Sequence, residues 1–194
     1  MKKITVPVSN HFCPQTLFLF GTYREDGSAN FGLFCWVSYC WDGELCVMAC
    51  IGEDKPTRER IRQTGVFSMN LVTRELLPFA DFCGSNSGRS EKKQKAVAAA
   101  ETVRGSALNV PLLALSPWSY ELQVARTIPL NGGGELYICK IRNIMADETL
   151  ADESASVEER IHRINPAATT HATYFDFHGE RQGAWGDWKE KAGT

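Results

Sequence analysis

NFGLFCWVSYCWDGELCVMACIGEDKPT, residues 30–57, decides the fold. It holds two apolar, aromatic and cysteine-rich segments, parted by Trp41-Asp42-Gly43-Glu44 and closing on Lys55-Pro56-Thr57. Residues 30–39 carry Phe31, Phe34, Trp36, Val37 and Tyr39, a β-favouring set with apolar side chains on both faces. A strand without alternation is covered on both sides, so it belongs in a barrel wall or between a core and a partner or ligand. Residues 44–51 read as the next strand, again with little alternation. Lys55-Pro56-Thr57 should open a helix running to about Gln63, with Thr57 able to cap it and Gly65 to stop it. Two strands, a tight turn and a helix N-terminus make a holder for a flat ligand with an anionic tail.

Outward from this stretch the chain reads as support. Residues 16–23 form a strand, and 24–28 a hairpin turn carrying Asp26-Gly27. Residues 66–72 form another strand, and 75–82 a short helical or irregular piece. Residues 83–90 are a loop of small residues. A Lys- and Ala-rich helix follows over 91–103, capped by Ser90 and placed on the surface by its polarity. Strands are expected over 110–116, 118–126 and 135–147, with Gly132-Gly133-Gly134 as a hairpin tip. Ser156 and Glu159 make a capping box for a helix to Arg163, ended by Asn165-Pro166. Residues 173–177 are a last short strand. The tail from Gly179 is polar, but its Trp185 and Trp188 need something to pack on, such as a second subunit. No repeat or linker divides the chain, which reads as one domain over 1–194, with a core of about 14–180 and a C-terminal tail over 181–194. Many short strands with few helices predict an antiparallel barrel or sandwich.

Bulk composition narrows the function. A net charge of -2 and a pI near 6.1, with no long basic run, argue against a nucleic-acid binder. The N-terminus has no apolar segment of the signal-peptide kind, and no apolar run reaches the roughly 18 residues of a membrane helix. Seven cysteines, mostly among apolar neighbours and without a C-x-x-C pair, read as buried free thiols of a cytoplasmic protein. His11, His162, His171 and His178 combine with them at no familiar zinc spacing, so no metal site is expected.

The residues alone leave several sites open. Lys55, Thr57 and Arg58 at a helix N-terminus suit a phosphate and equally suit a solvated cap. Asn30 can meet the polar edge of a heterocycle or satisfy its own turn. Phe34, Cys35 and Trp36 can flank an aromatic ligand or fill a barrel core. Ser87, Gly88 and Arg89 can contact an anion or merely approach the next helix. Cys40 and Cys50 have no histidine placed beside them in sequence, and no acid–base constellation or dinucleotide fingerprint is present. No catalytic residue is therefore singled out.

Three stretches together resemble a known family. Asp26-Gly27-Ser28-Ala29-Asn30 matches a D-G-x-x-N turn, and residues 64–71 match T-G-x-F-x-x-N-L. Residues 80–89 match A-D-x-C-G-x-x-S-G-R. The pattern is similar to the flavin reductase-like, FMN-binding split-barrel family of the flavoredoxin kind, over roughly 14–180. Leu33, Cys35 and Gln15 stand where that family usually has Pro, Ser and Arg. The resemblance implies a mainly β fold, a six-stranded antiparallel Greek-key split barrel with a few flanking helices, forming a homodimer with one FMN per subunit. Asn30, Phe34, Cys35 and Trp36 would line the isoalloxazine. Cys50, Ile51, Lys55 and Thr57, with Arg58, would run toward the ribityl chain and phosphate, and Ser87, Gly88 and Arg89 would close the site. The implied activity is hydride transfer from NAD(P)H to FMN and on to an acceptor the sequence does not name. The alternative is an FMN-carrying electron-transfer protein, or a binder of another phosphate ligand, with no NAD(P)H activity of its own.

Overall fold

A computed structural model describes residues 2–52, 54–177 and 181–189. His178 and residues 190–194 of the expected tail lie outside them. The strands are β1 (Gln15–Thr16), β2 (Phe18–Tyr23), β3 (Ala29–Phe34), β4 (Val37–Trp41), β5 (Leu45–Ile51), β6 (Val66–Leu71), β7 (Thr102–Arg104), β8 (Pro111–Leu113), β9 (Trp118–Pro129), β10 (Glu135–Ala146), β11 (Ala168–Thr170), β12 (Thr173–Phe175) and β13 (Arg181–Ala184). The helices are α1 (Pro56–Thr64), α2 (Leu77–Ser85), α3 (Glu91–Ala99) and α4 (Val157–Ile164).

The principal sheet has seven antiparallel strands in the order β3-β2-β6-β9-β10-β5-β4. Its two edges, β3 and β4, are consecutive in the chain. The expected single strand over 30–39 bends at Cys35-Trp36 and passes from one edge to the other, which is why the sheet has seven strands and not six. One core cluster gathers Phe20, Phe34, Ala49, Phe67, Leu122 and Tyr137, with Val37 packed on it, so side chains from all seven strands meet inside. The sheet therefore wraps into a barrel, split at the β3/β4 seam.

β2 and β3 are apolar on both faces because they separate two cores. Phe20 and Phe34 point into the barrel, their rings stacked 4.5 Å apart. Leu19 and Phe31 point outward to a second cluster with Leu77, Ala80 and Cys83 of α2 and Val97 of α3. A four-stranded sheet, β1-β11-β12-β13, lies beside this second core and takes in Arg181–Ala184 of the expected tail. Trp188 packs on Tyr174 of this chain, 5.7 Å between ring centres. The buried Asp81 of α2 holds that region, accepting from the Tyr174 hydroxyl at 2.6 Å and from the N–H of Gly186 at 2.7 Å and Trp188 at 3.1 Å. The Gly132-Gly133-Gly134 tip joins β9 to β10, and the Ser156–Glu159 capping box opens α4.

Candidate functional site

α1 sits against β2 and β3, with Ile61 buried in the barrel core. Lys55 leads into it in an extended conformation, Pro56 stands at its start, and no side chain caps its N-terminus. Thr57, expected as the cap, is buried and turned toward β3, where its hydroxyl accepts from Asn30 Nδ2 at 3.0 Å. Among the described residues, the first-turn N–H groups of α1 thus have no side-chain partner and the Thr57 O–H has no acceptor.

Asn30 is held in turn. Arg24 Nη2 donates to Asn30 Oδ1 at 3.3 Å and to the Gly88 carbonyl at 2.7 Å. Gly88 presses on the same group: a Cβ there would lie 2.9 Å from Asn30 Oδ1 and 3.2 Å from Pro56 Cγ. Asn30 is therefore a positioning residue, ordering Thr57 and the loop after α2 around one cavity. That cavity has a volume of about 230 Å³ and is lined by Asn30, Gly32, Phe34, Lys55, Thr57, Ser85, Ser87, Gly88 and Lys93, among others.

Lys93 was not singled out in the sequence, where α3 looks like a surface helix. It is only 3% exposed, and its ammonium donates to the carbonyls of Cys83 and Asn86 at the end of α2. It makes no salt bridge among the described residues. Burial pushes its pKa down; Cys83 acts against this, and Arg24 and Lys55 add to it. The one signal in the sequence is helical spacing, since Lys93 and the buried Val97 lie four apart on one face. The only acidic side chain lining the cavity among the described residues is Asp54, and it is already 3.1 Å from Arg89. Burying an ammonium without a counter-charge is costly. The cavity therefore carries an excess of positive charge, which an anion would balance.

Of the expected site residues, the structure brings Asn30, Phe34, Lys55, Thr57, Ser87 and Gly88 together. Arg89 sits at the rim, paired with Asp54 and Glu59. Arg58 is directed to the Gly133 carbonyl at the β9–β10 hairpin. The Ile51 side chain is sealed in the barrel core, and the N–H of Cys50 donates to the Trp36 carbonyl at 2.9 Å. Cys35 and Trp36 line a neighbouring cavity of about 470 Å³ with His11, Cys13, His171 and Trp185. Burial pushes the Cys35 thiol up, so it is no ready nucleophile. A larger cavity, about 780 Å³, lies away from this site between the starts of α2 and β9 and the end of α4, and there Arg163 donates to the Thr149 carbonyl. No group of three His, Cys, Asp or Glu is placed to hold a metal among the described residues, and no described helix is long and apolar enough to cross a membrane.

Comparison with known proteins bears on this geometry. The family model of the flavin reductase like domain matches residues 10–174. The chain belongs to the flavin reductase-like family. Among solved structures it is similar to the flavoredoxin of Desulfovibrio vulgaris (Miyazaki F), with 21% identity, a TM-score of 0.78, and coverage of 90% of this chain and 93% of that one. It is also similar to the flavoredoxin from Methanosarcina acetivorans, with 20% identity, a TM-score of 0.75 and 91% of each chain covered. The FMN-binding protein from Thermus thermophilus, solved with bound 1-cyclohex-2-enone, gives 19% identity and a TM-score of 0.70 over 91% of this chain and 93% of that one. No curated protein sequence matches.

The residues present fit a flavin of this family at its phosphate end. Two lysines, the Thr57 hydroxyl, serine hydroxyls and unclaimed N–H groups are donors suited to a phosphate. At about 230 Å³ the cavity is smaller than the roughly 300–1,000 Å³ of whole-ligand sites. It suits an anionic group and part of a ligand chain rather than a whole flavin.

Proposed function

We propose that this flavin reductase-like protein is an oxidoreductase that holds FMN, takes hydride from NAD(P)H and passes electrons to an acceptor. The observation that carries the choice of FMN is the buried Lys93, with no carboxylate partner among the described residues, beside Lys55 and Thr57. A phosphomonoester dianion balances that charge, whereas riboflavin brings none. When bound, the flavin supplies the two-electron chemistry. The chain's own residues bind and orient it. Lys55 and Lys93 attract the phosphate, Thr57 donates to it, and Arg24 and Asn30 hold Thr57 and the Gly88 loop in place. Ser87 and Gly88 close over it, and the seam at Phe34, Cys35 and Trp36 carries the ring. Arg58 and Arg89 remain part of the proposed site as long-range positive charge at its rim.

The same reading includes a homodimer. Trp36 just before β4, Tyr39 and Trp41 on it, and Leu45 at the start of the adjoining β5 are all more than half exposed. An edge strand bearing aromatics is a surface that folded proteins cover. A second subunit there would shield the ring that the small cavity leaves open. The seven cysteines, all free thiols, support a cytoplasmic location.

The test is a visible spectrum of the purified protein after incubation with FMN and desalting, followed by NADH and NADPH oxidation assays with the loaded protein. Retained flavin with NAD(P)H oxidation is the expected result. Retained flavin with no oxidation by either nucleotide removes the reductase claim and leaves an electron carrier reduced by a partner. No retained flavin and no flavin-dependent turnover removes both.

A further inference from the structure

Cys40 and Cys46 face each other across the β4–β5 hairpin, as direct partners in the register. The ladder fixes the kind of pair. Cys50 N donates to the Trp36 carbonyl at 2.9 Å and Asp42 N to the Glu44 carbonyl at 3.0 Å. Alternation along the hairpin makes Cys40 and Cys46 a hydrogen-bonded pair too, with Cα atoms about 5.5 Å apart. A disulfide spans Cα separations of about 4.4–6.8 Å, so the pair is within reach without moving a strand. Opposed Cβ atoms in a sheet stand about 4.5–5.5 Å apart, and a disulfide wants about 3.8 Å. The bond would therefore form under strain, and strained disulfides are the readily reduced ones.

The surroundings favour this pair over the other thiols. Cys40 is half-buried and lies on the face of β4 opposite Tyr39 and Trp41, and its register partner Cys46 is fully buried. Lys140, the cross-strand partner of Cys46 on β10, is paired with Glu44 at 2.7 Å, and burial with the nearby Cys40, Glu44 and Asp42 pushes the Cys46 thiol up, so Cys40 is the entry point and Cys46 the resolving thiol. Cys139, one residue away, belongs to the opposite face, in the barrel core. Cys35 and Cys50 are not register partners of any cysteine.

We propose that Cys40 and Cys46 are a reversible dithiol–disulfide site, oxidised by small-molecule disulfides. The Cys40 thiolate attacks a sulfur of the small disulfide, forming a mixed disulfide and releasing one small thiol. The Cys46 thiolate then attacks the Cys40 sulfur, and the second small thiol leaves. The protein loses two protons and two electrons, and one disulfide is reduced to two thiols. The product staples the edge hairpin of the barrel on the face opposite Tyr39 and Trp41, independently of any flavin.

The test treats the folded full chain with glutathione disulfide, quenches it, and counts alkylatable cysteines in denaturant by mass spectrometry. Seven cysteines should fall to five, and dithiothreitol should restore them. Cleavage after Glu44 separates the Cys40 and Cys46 fragments, which should stay joined until reduced. Cys40→Ser should abolish the link, whereas Cys35→Ser and Cys50→Ser should retain it. Cys40 is on an edge strand and only half-buried, so its serine variant folds even if a Cys46 variant does not. Seven cysteines still alkylated, a bond between any other pair, or a link surviving in Cys40→Ser would overturn the proposal.

Discussion

Replacing Lys93 by Met should weaken FMN binding and leave riboflavin binding unchanged. Met keeps the unbranched stem and removes only the charge. A hydrogen bond to a charged group contributes roughly 1.5–3 kcal/mol, and each 1.4 kcal/mol is about tenfold in affinity. The expected loss for FMN is therefore roughly ten- to a hundredfold. The variant also makes an opposite prediction for the ligand-free protein. Two hydrogen bonds from its ammonium to the Cys83 and Asn86 carbonyls disappear, worth roughly 1.5–3 kcal/mol each because the donor is charged. Against this, a buried ammonium with no carboxylate partner is removed, and its desolvation costs several kcal/mol. Ligand-free stability should hold or rise while FMN affinity falls. Flavin fluorescence titration with FMN and riboflavin at one ionic strength, with thermal unfolding of the ligand-free protein, measures both. If riboflavin affinity drops in parallel, or the ligand-free variant loses about 2 kcal/mol or more, Lys93 is a structural cap of α2 and the charge argument is wrong.

The remaining predictions concern the same cavity and the two buried carboxylates that hold loops in place. Lys55→Ala with Thr57→Ala should weaken FMN by a few kcal/mol, at roughly 1.5–3 kcal/mol for each charge-assisted contact; unchanged affinity in the double variant removes the phosphate assignment. Asp81→Ala strips the acceptor from Tyr174, Gly186 and Trp188. It should cost about 2–4 kcal/mol and speed proteolysis near residue 181, and an unchanged melting temperature would sink that account. Glu121 is buried, which alone would raise its pKa, but Asn143 and the N–H groups of Leu108, Ser106 and Ala107 outweigh burial and bring it below the ordinary 4.5. A depressed folded pKa contributes stability that is present above the unfolded value and lost as pH falls through the folded one. Unfolding free energy should therefore fall below about pH 4.5, and Glu121→Gln should flatten that part of the curve; an unaltered curve would show that other carboxylates set the acid limit.

The barrel was legible because its signals are local. Asp26-Gly27 and Gly132-Gly133-Gly134 each stand between β-favouring runs, and both are hairpin turns. The apolar character of residues 30–39 on both faces implied cover on two sides, by a barrel wall or by a core and a partner or ligand, and β3 has a core cluster on each face. The bend at Cys35-Trp36 was not legible. No Gly or Pro marks it, and it exists because the chain must cross from one sheet edge to the other, a requirement of closure rather than of those residues. The small sheet was missed for a related reason: β1, β11 and β13 have two, three and four residues, too few to show a period.

The site shows where sequence patterns stop carrying information about charge. Thr57 was recognised as polar at a helix start, but the sequence could not say that it turns to Asn30 instead of capping. That depends on Arg24, six residues before Asn30, reaching both Asn30 and Gly88. Lys93 is the sharper case. In the sequence it is one of three lysines in a five-residue run, and only burial separates it from Lys92 and Lys95. Burial turns an ordinary solvated lysine into an unbalanced charge, and the unbalanced charge points to an anion. The order of that inference matters. A donor-rich cavity could be filled by water at little cost, since water satisfies N–H groups. Water cannot neutralise an ammonium held between two carbonyls with Arg24 and Lys55 as its charged neighbours. A net negative ligand can, and binding it would stabilise the fold by about 2.7 kcal/mol at a hundredfold excess over its dissociation constant. FMN should therefore raise the melting temperature more than riboflavin does at equal free concentration, and the difference should shrink in Lys93→Met.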